Sequence, residues 1–220
     1  MLFLQAIAKF LLGVVLVGAL LFLPAGSFAF WQGWLLMGVL FAPMFIAGLI
    51  MLVKNPKLLE KRLNAKEKER KQSLVVKLSG LMFIGGFVLA GFNFRFGWYT
   101  LPAWVSIVGT VAFLTAYALY AEVLRENTYL SRTIEVQENQ KVVDSGLYGI
   151  VRHPMYAVTL LLFFSMPIIL GSVFALAVFL AYPFIIAARI KNEEQVLAEN
   201  LDGYKAYMQK VKYRLIPFIW

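Results

Sequence analysis

Cysteine is absent from this chain of 220 residues, and histidine occurs only once, at His153. Without cysteine the protein has no disulfide framework and no thiol nucleophile. A single histidine without cysteine also argues against the usual ligand sets of a zinc site, so we expect no metal. Charged residues make up only 15% of the chain, and they are clustered rather than spread.

Hydrophobic residues are abundant instead, at 61% of the chain. A soluble domain is nearer to half apolar, so this composition predicts an integral membrane protein. The net charge of +9 comes from 21 Lys and Arg against 12 Asp and Glu. In a soluble protein that balance suggests nucleic acid, but cytoplasmic loops of membrane proteins also collect Lys and Arg. We therefore expect no nucleic-acid partner.

The first 124 residues contain four apolar runs that are long enough, at about 20 residues, to cross a bilayer. The first run exceeds the roughly 7–15 apolar residues of a signal peptide, and Lys and Arg are missing from the first eight residues, so we interpret it as a retained span. We expect residues 1–124 to form a four-span membrane region with a basic cytoplasmic loop at 54–73. The four runs are Leu2–Leu23, Phe28–Val53, Leu74–Phe94 and Ala103–Leu124.

Two shorter apolar runs, Met155–Leu170 and Ser172–Ile190, meet at Gly171-Ser172. Such a short connection predicts a tight helical hairpin. The fold class is therefore all-α integral membrane, with about six membrane helices of which the last two form this hairpin. The polar tail Lys191–Trp220 predicts a C-terminal cytoplasmic amphipathic helix, and residues 125–220 are expected to form one integrated domain with the spans before them.

Lys and Arg concentrate in three segments: nine in Lys54–Lys77, four in Arg125–Arg152 and six in Arg189–Arg214. Six crossings place all three segments on the same side of the membrane. The positive-inside rule makes that side cytoplasmic. We therefore expect a multi-pass protein with both termini in the cytoplasm, in a bacterial or archaeal inner membrane.

The only histidine lies in Gly146–Tyr156, "GLYGIVRHPMY", at the start of the hairpin. Pro154 suits the first turn of a helix, and the residue before a proline is pushed toward an extended conformation. His153 is therefore expected beside the free N–H groups of a helix start, which attract an anionic group such as a carboxylate.

A tight hairpin brings its two ends together at one membrane surface. It should therefore place the residues before it opposite those after it, namely Arg152, His153 and Tyr156 opposite Arg189, Glu193 and Glu194. Arg189 and Glu193 are four residues apart on one helical face and can pair. A structural interpretation stays open from spacing alone, with an interfacial cap at Arg152-His153-Pro154, a solvated acidic face, and Tyr204 and Tyr207 as interfacial anchors.

The two segments together resemble the isoprenylcysteine carboxyl methyltransferase family, within the wider group of integral membrane and phospholipid methyltransferases. The shared pattern is an Arg-His-Pro-x-Tyr box, a helical hairpin, a Glu-Glu pair and a Tyr-x-x-Tyr helix that ends near a proline. It covers roughly Asp144–Trp220, about a third of the chain. Two departures from the family are expected: Val158 stands where a glycine is frequent, and we expect four spans before the box, fewer than in larger relatives. The matching residues are Arg152, His153, Pro154, Tyr156, Glu193, Glu194, Tyr204, Tyr207 and Pro217.

The resemblance implies S-adenosylmethionine (SAM) as methyl donor and a lipophilic small-molecule or lipidated acceptor that enters from the membrane lipid. The acceptor is an isoprenylcysteine-type carboxylate or another small lipid, amine or thiol. Residues 125–220 would then contain the cofactor-binding loop. The resemblance implies catalytic roles for Arg189, Glu193 and Glu194. It implies cofactor binding by Tyr148, Arg152, His153, Pro154, Tyr156, Glu194 and Tyr204.

Two other functions remain compatible with the sequence. A non-catalytic scaffold or transporter subunit would need no methyl donor, although ionisable residues that mark a transport route are scarce in the spans. A sterol-reductase-like enzyme with a similar carboxy-terminal cofactor region would require NADPH. Competition between SAM and NADPH for binding distinguishes a methyltransferase from such a reductase.

Overall fold

The computed structural model describes residues 2–63, 70–130 and 136–220. Regular structure in these ranges is helical throughout, as the all-α prediction requires. Residues 64–69 of the predicted basic loop and residues 131–135 of the predicted cofactor-binding loop lie outside the described residues. The elements are α1 (Leu2–Ala25), α2 (Trp31–Lys54), α3 (Pro56–Leu63), α4 (Arg70–Phe96), α5 (Ala103–Glu126), a 3-10 helix (Gly146–Gly149), α6 (Pro154–Ile169), α7 (Val173–Phe179), α8 (Tyr182–Asn200) and α9 (Tyr204–Lys210).

Five helical stretches in the described ranges are long and apolar enough to cross a membrane. Four correspond to α1, α2, α4 and α5, and the fifth is Val173–Asn200, which contains α7 and α8. The remaining apolar helix, α6, has 16 residues. At 1.5 Å per residue it is about 24 Å long, shorter than the roughly 30 Å hydrocarbon core. The exact number of crossings therefore stays a prediction.

The hairpin turns at Gly171, whose φ of +66° is in the left-handed region that favours glycine. Ser172 then caps α7, because its hydroxyl accepts a hydrogen bond from the Ala175 N–H at 3.2 Å. The Gly171 carbonyl accepts from the Leu101 N–H at 3.2 Å, which ties the turn to the connection before α5. The second leg of the hairpin is two consecutive helices, α7 and α8, rather than one.

Close packing between helices depends on small residues, as two of the crossings show. A Cβ added at Gly109 of α5 would lie 2.9 Å from Ile168 Cγ2 of α6. A Cβ added at Gly91 of α4 would lie 2.6 Å from the Leu21 carbonyl oxygen of α1. Glycine at these positions lets the backbones of membrane helices approach closely. The crossing with α5 lies near the last residues of α6, and the first residue of α6, Pro154, lies at the polar end of the bundle.

The basic segment, the first helix and the tail all reach that same end. Lys9 Nζ of α1 donates to the Leu63 carbonyl at 2.7 Å. Arg62 of α3 donates to the Tyr120 hydroxyl, near the end of α5, at 2.9 Å. This arrangement agrees with the prediction that the basic segments share one side. That the side is cytoplasmic remains a prediction.

The polar tail is divided into two helices. α8 ends at Asn200, a turn follows in which Gly203 has a φ of +81°, and α9 adds seven residues. Tyr204 and Tyr207 of α9 are buried, while Lys205 and Lys210 are exposed. The tail is thus not one continuous helix, and its placement as an amphipathic helix on the membrane surface remains a prediction.

Candidate functional site

Backbone hydrogen bonds connect the Arg-His-Pro segment, at the start of α6, to the tail. The backbone N–H of Arg152 donates to the Tyr213 carbonyl and that of His153 to the Arg214 carbonyl, both at 2.9 Å. His153 has non-helical angles, φ −126° and ψ 61°, and α6 begins at Pro154. Proline has no N–H to leave unpaired at this first position. Backbone hydrogen bonds to the tail therefore position Arg152 and His153 independently of their side-chain contacts.

Glu194 is surrounded by three basic side chains. Its Oε1 accepts from Arg152 Nε at 2.6 Å and lies 3.2 Å from His153 Nε2. Its Oε2 accepts from Arg214 Nε at 2.8 Å. Glu194 is only 4% exposed, and a buried carboxylate requires such charged partners. The geometry makes Glu194 the centre of the polar network.

Arg152 is held from a second direction by the tail. Its Nη1 donates to the carbonyl oxygens of Val211 at 2.7 Å and Lys212 at 2.8 Å. Arg152 is 7% exposed, so its charge is satisfied almost wholly by protein groups. The tail therefore fixes the guanidinium plane as well as the backbone.

Glu193, the neighbour of Glu194, belongs to a different chain of contacts. The Tyr156 hydroxyl donates a short hydrogen bond to Glu193 Oε2. The same hydroxyl accepts from Arg189 Nε at 2.9 Å. Tyr156 thus lies between the two residues, and its ring is stacked beside that of His153 at 5.7 Å between centroids.

A cavity of about 100 Å³ opens between these groups and the loop after α5. Both halves of the predicted site contribute to its wall, Arg152, His153 and Tyr156 from one side and Arg189 and Glu193 from the other. Glu194 is not part of that wall. The adjacent glutamates therefore differ: Glu193 lines the cavity, and Glu194 contacts Arg152 and His153, which also line it.

Tyr204 contributes a polar group without a partner. Its hydroxyl is buried and has no hydrogen-bond partner within the described ranges, and its ring lines the cavity. Burial, followed by the negative charges of Glu194 and Glu193, raises the pKa of Tyr204 well above its ordinary value. The hydroxyl thus stays protonated at neutral pH. Buried polar atoms in native proteins are normally paired, so this one points to a ligand or a water molecule.

The structure brings all the predicted site residues to one end of the bundle. Tyr148 lines the cavity from the 3-10 helix, and Pro154 sets the start of α6. Val158, the departure from the family pattern, is buried in the apolar core and is not part of the cavity wall. Which of these residues bind or react with a ligand remains a prediction.

Sequence reasoning did not predict the partners of three further residues. Arg214 binds Glu194, Tyr207 donates to the Tyr148 carbonyl at 2.7 Å, and Glu126 contacts the 3-10 helix. Arg214 and Tyr207 lie within the segments that carry the resemblance, but their spacing indicates no partner. Glu126 ends an apolar helix, where a carboxylate is ordinarily solvated.

Fold and site together define a class of protein. Large apolar side chains are exposed on the outer faces of the long helices, for example Leu4 at 72% and Val53 at 82%. Such a surface suits the hydrocarbon of a bilayer and not water. The molecule is an integral membrane protein with a polar cavity at one end of its helical bundle. Among the residues that the structure describes, no three His, Asp or Glu side chains are grouped to hold a metal ion.

The sequence profile of the phospholipid methyltransferase family matches residues 104–202. This segment, slightly less than half of the chain, runs from α5 to just beyond α8 and contains the cavity residues of the hairpin. The match confirms the resemblance to the integral membrane methyltransferases, a group that includes the isoprenylcysteine carboxyl methyltransferase-like proteins. It supports a membrane methyltransferase that acts on lipid-type substrates. A search of curated proteins finds no match.

Proposed function

We propose that this protein transfers a methyl group from SAM to a lipophilic acceptor at the membrane face where the cavity lies. The observation that carries the proposal is the cavity wall, which combines Arg189, Glu193 and Tyr156 with the Tyr204 hydroxyl, a group without a partner among the described residues. The family match supports methyl transfer, and the identity of the donor is our inference. The basic segments near the site support a cytoplasmic location.

The residues of the cavity suit the groups that SAM carries. Its carboxylate would lie against Arg152, which lines the cavity, and the positive end of the α6 dipole. Its ammonium or ribose hydroxyls would find the Glu193 carboxylate, and its sulfonium or adenine the ring faces of Tyr148 and Tyr156. The Tyr204 hydroxyl, which has no partner in the described part of the chain, could donate a hydrogen bond to SAM. His153 and Pro154 would contribute through the geometry of the helix start.

Bound there, SAM would supply an electrophilic methyl group for in-line displacement by a nucleophilic oxygen, nitrogen or sulfur of the acceptor. The protein contributes mainly by positioning. Arg189 and Glu193 fix the Tyr156 ring through its hydroxyl, and Glu194 acts through the cations that it holds. A carboxylate acceptor needs no general base. A protonated amine acceptor would first lose a proton, which His153 of the cavity wall would accept.

The acceptor is expected to enter from the bilayer, because the helices that surround the site expose apolar side chains. α6, which carries Tyr156, is also short for a full crossing. A lipid chain can therefore stay in hydrocarbon while its polar end reaches the cavity. An isoprenylcysteine-type carboxylate and a small lipid, amine or thiol all fit this description.

Calorimetric titration of the purified protein with SAM tests the proposal. We expect the wild type to bind SAM, and Tyr204→Phe to bind about tenfold more weakly because one buried hydrogen bond is lost. Tyr99→Phe is the matched control, since Tyr99 is exposed and lies in the connection between α4 and α5. Its affinity should equal that of the wild type.

No binding of SAM by the folded wild type would refute the proposal. Binding of NADPH that SAM does not displace would favour the reductase interpretation. If the wild type does bind SAM, incubation with methyl-labelled SAM and host lipid extract, followed by identification of the labelled product, would show the acceptor.

A further inference from the structure

The last residue of α5 reaches across to the 3-10 helix that precedes the Arg-His-Pro segment. The Glu126 carboxylate accepts a hydrogen bond from the Leu147 N–H with both oxygens, at 2.9 Å and 3.1 Å. The two residues are 21 positions apart in sequence. A membrane helix is thereby connected directly to the loop that forms one wall of the cavity.

The sequence of the turn is shaped for this carboxylate. Gly146 has a φ of +55°, which favours glycine. A Cβ added there would collide with the Glu126 carboxylate, far inside van der Waals contact. Glycine therefore serves two purposes at this position, because it permits the backbone angle and leaves room for the acceptor.

The turn delivers Tyr148 to the cavity and is held at other points as well. The Tyr148 carbonyl accepts from the Tyr207 hydroxyl of α9 at 2.7 Å. Burial raises the pKa of Tyr148, and a hydrogen bond between its hydroxyl and the Asn127 side chain opposes that shift. Tyr148 itself is buried. Its ring orientation is thus set by α5 on one side and α9 on the other.

We infer that Glu126 is a positioning residue, which fixes the Tyr148 ring as a wall for the ligand in the cavity. The inference rests on the proposed function only in taking SAM as that ligand. Glu126 is not part of the cavity wall, so it acts through the backbone of the turn. Without the Glu126 carboxylate the Leu147 N–H loses its acceptor. The turn is then held mainly by the hydrogen bond from Tyr207 of α9.

Affinity and kinetics of Glu126 variants test the inference. Glu126→Ala should weaken SAM binding about tenfold, the loss expected when a hydrogen bond to a charged acceptor is removed. The KM for SAM should rise by a similar factor with little change in kcat. Glu126→Gln keeps a carbonyl acceptor and should restore most of the affinity. Glu122→Ala is the matched control, because Glu122 lies one turn earlier and pairs with the exposed Arg125.

Hydrogen exchange of residues 146–149 gives a readout that does not depend on SAM. We expect faster exchange in Glu126→Ala than in the wild type and in Glu122→Ala. If the wild type binds no SAM, the proposed function fails, and exchange alone decides the inference: faster exchange supports it and unchanged exchange overturns it. If the wild type binds SAM, equal affinity of folded Glu126→Ala overturns it, even where that variant unfolds at a lower temperature.

Discussion

The two ends of the helical bundle bury polar groups in different ways. At the end with the cavity, Glu194 is paired with Arg152, His153 and Arg214. At the opposite end, Gln32 of α2 and Ser106 of α5 flank the hairpin turn at Gly171. Gln32 Oε1 and Ser106 Oγ are buried there without a hydrogen-bond partner in the described part of the chain.

The difference shows that charge, more than burial, determines which groups are paired here. An unpaired neutral hydroxyl or amide costs about 1–3 kcal/mol. An unpaired buried charge costs more, so a folded protein must supply its partners. The charged groups of the cavity end therefore have to be organised by several segments at once. Neutral polar atoms without a partner in the described ranges occur at both ends, Gln32 and Ser106 at one and Tyr204 at the other.

The largest effect is expected when the central carboxylate is removed. Glu194→Ala leaves Arg152 and His153 buried without their acceptor and should lower the free energy of unfolding by about 3–5 kcal/mol. Glu194→Gln keeps an acceptor oxygen and should lose less. Thermal unfolding in detergent micelles measures both. If Glu194→Ala unfolded at the same temperature as the wild type, Arg152 and His153 would have found other partners. The two ends of the bundle would then not differ in how strictly they require pairing.

A smaller effect is expected when only a shared hydroxyl is removed. Tyr156→Phe keeps the ring beside His153 but deletes the group between Arg189 and Glu193. Because each partner can still reach water in the cavity, we expect a stability loss near the low end of about 1–3 kcal/mol. The rate of methyl transfer should fall by a larger factor than this loss of stability alone would cause. Unchanged transfer from labelled SAM would remove Tyr156 from the proposed site.

The smallest effect is expected at the opposite end. Ser106→Ala deletes a buried hydroxyl that has no partner in the described ranges, so the unfolding temperature should stay the same or rise slightly. SAM affinity should not change. A marked loss of stability would show that an ordered water molecule pairs this hydroxyl, and would make the two ends more alike.

The helical fold and the meeting of the two site segments could be predicted from the sequence. Apolar runs of the right length indicate the long helices, and the short connection at Gly171 indicates that the hairpin returns Glu193 and Glu194 to Arg152. These inferences need only lengths and the chemistry of turns. The same lengths do not show that the second leg divides into α7 and α8.

The separate environments of Glu193 and Glu194 could not be predicted. Adjacent residues on a helix point about 100° apart, and the rotation of α8 against α6 decides which one faces the cavity. That rotation depends on packing that no local pattern encodes. For the same reason the contact between Glu126 and Leu147 was missed, since it joins a helix end to a turn 21 residues later.

The polar network also implies an order of assembly. During synthesis Arg152 and His153 precede their carboxylate by 42 and 41 residues, and Arg214 follows it by 20. A nascent chain that has completed the hairpin therefore still lacks Arg214, one of the three side chains that contact Glu194, and the carbonyl acceptors of Arg152. The network around Glu194 is complete only when the segment beyond α9 has emerged and folded back. If the cavity binds SAM as proposed, binding would therefore report that this segment has docked.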